Sequence, residues 1–124
     1  MKQLLVVEDD PTIMSLIVIL LEREGYEVVQ AGSAEEGLRL AAEKPPHLIL
    51  MDVALPGMDG LEATRLLKSR EGTSRVPVVA LTAQAMKQDV ERASLAGCDG
   101  IIVKPLSTLH FLAEVARFLD IEKG

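Results

Sequence analysis

The chain of 124 residues is 48% hydrophobic and 26% charged, with 13 basic against 19 acidic residues and a net charge of −6. That length fits one compact domain, read here as a single unit over residues 1–124, able to bury a core without disulfide or structural metal. The acidic balance makes nucleic acid a poor partner, the lone Cys98 suits a reducing cytoplasm, and nothing approaches the roughly 20 apolar residues of a membrane span.

The opening MKQLLVVEDD has no leader pattern, and its apolar run Leu4-Leu5-Val6-Val7 reads as a strand ending in Glu8-Asp9-Asp10. Ile13, Leu16, Ile17, Leu20 and Leu21 then form a helical stripe, with Asp10 as cap, Pro11 at the first position and Gly25 beyond the end. Val28-Val29 reads as a second strand. A second helix opens at Ser33, where Glu36 completes a capping-box spacing, and it stops before Pro45-Pro46. Leu48-Ile49-Leu50-Met51 is a third strand ending in Asp52, and a helix follows from Asp59-Gly60 to about Arg70. Val78-Val79-Ala80-Leu81 ends in Thr82, and the next helix is predicted from Gln84 to Ala96. Ile101-Ile102-Val103 ends in Lys104-Pro105, and a last helix is predicted from Ser107 to about Asp120. Five short apolar strands alternating with five helices predict an α/β fold, (βα)5, with a parallel sheet whose strands are buried on both faces.

Ligands of such sheets bind at the carboxyl ends of the strands. There the sequence places Glu8, Asp9, Asp10, Asp52, Thr82 and Lys104, whereas the second strand ends in Ala31-Gly32 without chemistry. Taken singly, Asp10 and Asp59 read as helix caps, Glu8 and Asp9 as a solvated loop, Thr82 as a strand-end hydroxyl and Lys104 as a loop lysine. Together they pose an electrostatic problem. Two unit charges about 5 Å apart repel by roughly 3 kcal/mol at an effective dielectric near 20. Lys104 offsets part of that, and a divalent cation would offset more. Oxygen ligands without nearby His or Cys favour Mg²⁺ or Mn²⁺ over zinc. A hard cation beside a carboxylate, an ammonium and a hydroxyl suits phosphoryl transfer to the carboxylate.

Four blocks then identify a resemblance: Val6-Val7-Glu8-Asp9-Asp10, the stretch Leu50-Met51-Asp52-Val53-Ala54-Leu55-Pro56-Gly57-Met58-Asp59-Gly60, Pro77-Val78-Val79-Ala80-Leu81-Thr82-Ala83, and Gly100-Ile101-Ile102-Val103-Lys104-Pro105. Over essentially its whole length the chain resembles the receiver domain of two-component response regulators, of the chemotaxis-regulator kind. Thr82-Ala83-Gln84-Ala85-Met86-Lys87 and the bare receiver length look like single-domain cell-cycle or polar-differentiation regulators.

The resemblance implies a doubly wound, flavodoxin-like sheet of strand order 2-1-3-4-5. It implies Asp52 as phosphoacceptor and Mg²⁺ held by Glu8, Asp9, Asp52 and the Ala54 backbone carbonyl. Thr82 and Lys104 would contact the phosphoryl group, and the Lys104–Pro105 peptide would be cis. The implied role is a stand-alone cytoplasmic response regulator, monomeric or weakly dimeric on phosphorylation. It would take its phosphoryl group from a sensor histidine kinase or histidine phosphotransfer protein and switch contacts with a downstream protein target. It would catalyse only its own phosphorylation and dephosphorylation, with neither nucleic acid nor membrane as partner.

Two positions depart from the family pattern. Ile101 stands where many receivers carry a switching Tyr or Phe, and Glu8 where Asp is commoner. The last helix has apolar residues around more than one stripe, Leu109, Leu112 and Leu119 with Phe111, Val115 and Phe118. It reads either as broadly buried or as an apolar docking edge shared with the fourth helix and fifth strand. Two other functions start from the same fold. A Mg²⁺-dependent phosphohydrolase using an aspartyl phosphate would need an acid where Ala54 stands, and an FMN binder would need a Ser/Thr-rich phosphate loop after the first strand.

Overall fold

A computed structural model describes residues 1–104 and 108–123. The strands are β1 (Gln3–Val7), β2 (Glu27–Ala31), β3 (Leu48–Asp52), β4 (Val78–Thr82) and β5 (Gly100–Val103). The helices are α1 (Pro11–Arg23), α2 (Ala34–Glu43), α3 (Gly60–Ser69), α4 (Lys87–Ala96) and α5 (Thr108–Lys123). All neighbouring strands pair in parallel, in the order β2-β1-β3-β4-β5 expected from the resemblance.

Alternation along the strands divides the core into two layers. Leu4, Val6, Leu48, Leu50, Val79 and Leu81 face α1 and α5, meeting Ile17, Leu21, Phe111 and Phe118. Leu5, Val7, Ile49, Met51 and Val78 face α2 and α3, meeting Leu38, Ala63 and Leu67. β1, β3 and β4 are buried at every residue, as their unbroken apolar runs require. β2 and β5 depart from the sequence expectation. They are the sheet edges and are only partly buried, because each has one neighbouring strand instead of two.

Local signals fixed most helix starts. The Asp10 carboxylate accepts the Thr12 and Ile13 N–H groups, with Pro11 at the first helical position. Ser33 Oγ accepts from Glu36 N–H, while Glu36 reaches back past the cap to the N–H of Gly32. Asp59 accepts from Glu62 N–H. α4 starts at Lys87, three residues later than the sequence predicts. Asp89 accepts the Met86 N–H, making Met86 the cap, and Gln84 is held back in the loop by Thr82. For the last helix, Ser107 and Pro105 lie outside the described residues, including the expected cis peptide. α5 is not broadly buried: Phe111, Val115, Phe118 and Leu119 pack inward, whereas Leu109 is 82% exposed.

Two glycines set close approaches. A side-chain carbon at Gly60 would overlap the carbonyl of Asp52, so only glycine lets the start of α3 close against the end of β3. The buried Thr64 hydroxyl donates to the Gly60 carbonyl at 2.8 Å and fixes that contact. At Gly100, a side-chain carbon would overlap the Phe118 ring, which lies across β5.

Candidate functional site

The strand ends bring the acids together by register. Val7 pairs with Met51 across β1 and β3, so the residues after each, Glu8 and Asp52, emerge side by side. The Glu8 N–H donates to the Ala31 carbonyl at 3.0 Å, extending the β1–β2 pairing by one residue and fixing the Glu8 backbone. Glu8 is 2% exposed and Asp52 3%, whereas Asp9 is exposed. Glu8, Asp9 and Asp52 each present a carboxylate oxygen within 4.8 Å of the others.

Lys104 closes the cluster from β5. Its Nζ donates to Glu8 Oε1 at 2.8 Å and stands 3.3 Å from Asp52 Oδ2. Its own N–H donates to the Thr82 carbonyl at 2.7 Å, tying the end of β5 to the end of β4. The other Asp52 oxygen, Oδ1, accepts the Ala54 N–H at 3.0 Å, and Glu8 Oε2 accepts the Asp10 N–H at 3.2 Å. Asp52 therefore has both oxygens oriented by neighbours, one by a backbone N–H and one by an ammonium.

The charge count leaves three carboxylates against one ammonium. Burial pushes the Glu8 carboxyl above its ordinary value, and the Asp52 carboxylate adds to that shift while Lys104 opposes it. Burial also works against the Lys104 ammonium, but Glu8 and Asp52 more than offset it and hold the lysine above its usual value. Hard oxygen donors with surplus negative charge at this spacing form a donor set that suits a small divalent cation.

Thr82 is buried at the rim, but its hydroxyl turns to its own loop. Oγ donates to the Gln84 carbonyl at 2.8 Å and also receives the Gln84 N–H at 3.4 Å. Ala54 is exposed two residues beyond Asp52. Ile101 is half-buried on β5, packed against the small α3–α4 cluster of Leu61, Ala93 and Ala96. Asp10 and Asp59 act as caps, as each reads taken singly.

Beside the acids a cavity of about 130 Å³ opens between α4 and the ends of β3 and β4, lined by Ala54, Asp59, Thr82, Asp89, Arg92 and Ile101 among others. Sequence reasoning passed over Arg92 and Asp89, the latter because it caps backward to Met86 from inside the helix.

Comparison with known proteins settles the family. The response regulator receiver domain family matches residues 4–116. The chain belongs to that family. It is 43% identical over 118 residues to the polar-differentiation response regulator DivK of Brucella ovis, covering 95% of this chain and 96% of that protein. Among solved structures, the receiver domain of the Pseudomonas aeruginosa sensor histidine kinase PA1611 superposes with a TM-score of 0.89 at 33% identity, covering 96% of this chain and 98% of the other. That structure carries a magnesium ion coordinated in its active site cleft. Chemotaxis protein CheY4 of Vibrio cholerae superposes at 0.91 with 26% identity, over 95% of this chain and 98% of the other. The chain is thus a response-regulator receiver of two-component signalling, a signalling domain by family and not an enzyme in the ordinary sense. No helix among the described residues is long and apolar enough to cross a membrane.

Proposed function

We propose that this chain, as one receiver unit over residues 1–124, accepts a phosphoryl group on Asp52 and changes its protein contacts in response. The observation that carries the reading is the setting of Asp52. It is a buried strand-end carboxylate held by the Ala54 N–H and Lys104, with Glu8 and Asp9 at ligand distance from it. Mg²⁺ would be held by Glu8, Asp9, Asp52 and the backbone carbonyl of Ala54, as the oxygen donor set favours and as the magnesium-bearing PA1611 receiver parallels. When bound, the ion supplies charge neutralisation at the transferring phosphoryl oxygens.

The protein's own groups do the remainder. Ala54 and Lys104 orient Asp52 so that one oxygen can attack the phosphorus of a phosphohistidine, and Lys104 pairs with a phosphoryl oxygen as negative charge develops. Thr82 gives up its bond to the Gln84 carbonyl to donate to the phosphoryl group, and the loop before α4 follows. The donor is a sensor histidine kinase or histidine phosphotransfer protein. The contacts that change lie on α4, β5 and α5, where Met86, Val90, Leu95, Val103 and Leu109 are exposed. The aliphatic Ile101 replaces a swinging ring, so the readout runs through the loop and α4.

The test is to give the full chain acetyl phosphate and Mg²⁺ and follow intact mass. One phosphoryl addition, absent in Asp52→Asn and without Mg²⁺, is the expected result. No addition, or label retained in Asp52→Asn, overturns the reading. Turnover of exogenous phosphomonoesters would point instead to a phosphohydrolase.

A further inference from the structure

We propose that Arg92 is a second cationic contact for the phosphoryl group at Asp52, holding it from the cavity side while Lys104 holds it from the acidic side. The inference rests on Asp52 being the phosphoacceptor. Lys104 reaches Glu8 and Asp52 from the end of β5, and none of Glu8, Asp9, Asp52 and Lys104 lines the neighbouring cavity of about 130 Å³. The cavity is walled instead by Val53 and Ala54, the two residues that follow Asp52, by Thr82, and by Arg92 of α4. It has room for several waters, or for one phosphoryl group and a small leaving group.

The other charged walls are already engaged. Asp59 accepts the Glu62 N–H at 2.8 Å and Asp89 accepts the Met86 N–H at 3.1 Å, each at a helix N-terminus that offsets its charge. Asp89 stands three residues before Arg92, a spacing that allows a helical ion pair, yet its carboxylate turns to the cap. The exposed Arg92 guanidinium makes no ion pair or hydrogen bond, as is also true of Arg23, Arg65, Arg70 and Arg75 among the described residues, but of these arginines Arg92 alone lines this cavity. It is a cation on a cavity wall with its donors uncommitted. A phosphoryl group brings roughly −1.5 to −2 charge and three acceptor oxygens. Arginine's planar fork can take two of those oxygens at once.

With acetyl phosphate as donor, the bond from Asp52 oxygen to phosphorus forms as the bond from phosphorus to the acetyl oxygen breaks, and acetate leaves with the electron pair. Arg92 gives up no proton; it binds the phosphoryl oxygens. The experiment compares the native chain, Arg92→Gln and Arg92→Lys at saturating Mg²⁺, varying acetyl phosphate and, separately, phosphoramidate, which bears less negative charge. Arg92→Gln is expected to slow labelling by subsaturating acetyl phosphate about 5–10-fold, as for loss of one partly exposed charge-assisted bond. The effect should be smaller with phosphoramidate and partly rescued in Arg92→Lys, with Tm and Mg²⁺ response unchanged. A native-like donor dependence in Arg92→Gln overturns the proposal and leaves the phosphoacceptor reading standing. Equal slowing in both variants with a lowered Tm assigns Arg92 a structural role and also overturns it. If the native chain takes no label, the phosphoacceptor reading falls and this proposal with it.

Discussion

Two lysines bridge the sheet at its opposite ends, and their surroundings differ in kind. At the amino end, Lys68 from α3 donates to Asp99 Oδ2 at 2.9 Å and to the Val76 carbonyl at 2.7 Å, while the same Asp99 oxygen accepts the Val78 N–H at 2.8 Å. One cation meets one anion there, and backbone groups fill the remaining valences. At the carboxyl end, one ammonium serves Glu8 and Asp52 with Asp9 close by, so negative charge is left over. The first arrangement is complete without an added ion and holds β4, β5 and α3 together. The second is an incomplete set, and it sits where the fold collects ligands. Surplus charge, more than the presence of a salt bridge, sets the two ends apart.

The comparison can be broken most sharply by removing each lysine. Lys104→Met strands two nearly buried carboxylates, and the metal-free protein should lose about 3 kcal/mol in urea unfolding, much of it restored by Mg²⁺. Lys68→Met leaves a partly exposed Asp99 that keeps its Val78 partner, so a loss of about 1 kcal/mol is expected, with no rescue by Mg²⁺. Equal losses, or equal rescue, would erase the distinction.

The glycines sharpen it in space. Gly60→Ala forces the start of α3 off the Asp52 carbonyl, and a loss of about 2–3 kcal/mol should come with a weaker Mg²⁺-induced rise in Tm. Gly100→Ala presses on the Phe118 ring, which can shift, so about 1–2 kcal/mol is expected with the Mg²⁺ response intact.

Acidity gives a smaller effect with a definite sign. Because burial, aided by Asp52, raises the Glu8 carboxyl, the metal-free folded chain binds more protons than the unfolded chain over that range. Its stability should therefore fall as pH rises from the ordinary value of 4.5 through the raised one, and stay lower above it. Mg²⁺ stabilisation should grow across the same window, since the ion needs ionised ligands. Thermal melts at several pH values, with and without a chelator, check both slopes. Glu8→Gln should flatten both and raise the metal-free Tm at neutral pH.

How much of this was written in the sequence depends on chain distance. Asp10, Ser33 and Asp59 announce their helices because cap and capped N–H lie within three residues of each other. The all-apolar runs of β1, β3 and β4 reveal central strands, and their ends reveal which acids converge. The start of α4 was misread because the capping acid, Asp89, lies inside the helix and binds backward. That Lys104 joins the acids was legible from its strand end, 96 positions from Glu8, but not which two carboxylates its ammonium would reach. The pairing of Lys68 with Asp99, 31 positions apart, was hidden. The Thr82 hydroxyl was legible as a residue type at the right place but not in its orientation, which the Gln84 carbonyl decides. By type Leu109 could belong to the core or to an exposed apolar edge; helix phase puts it in water.

Gly60 also limits how this protein can be re-engineered. The loop from Val53 to Asp59 invites randomisation to retune the chemistry, since much of it is solvent-facing. Its last hinge has no such freedom. A library confined to the exposed Ala54 and Pro56, keeping the buried Leu55, the left-handed Gly57, the Asp59 cap and glycine at 60, keeps the Asp52 carboxylate in register. One that varies position 60 as well will fill with clones whose defect is misplacement and not altered reactivity.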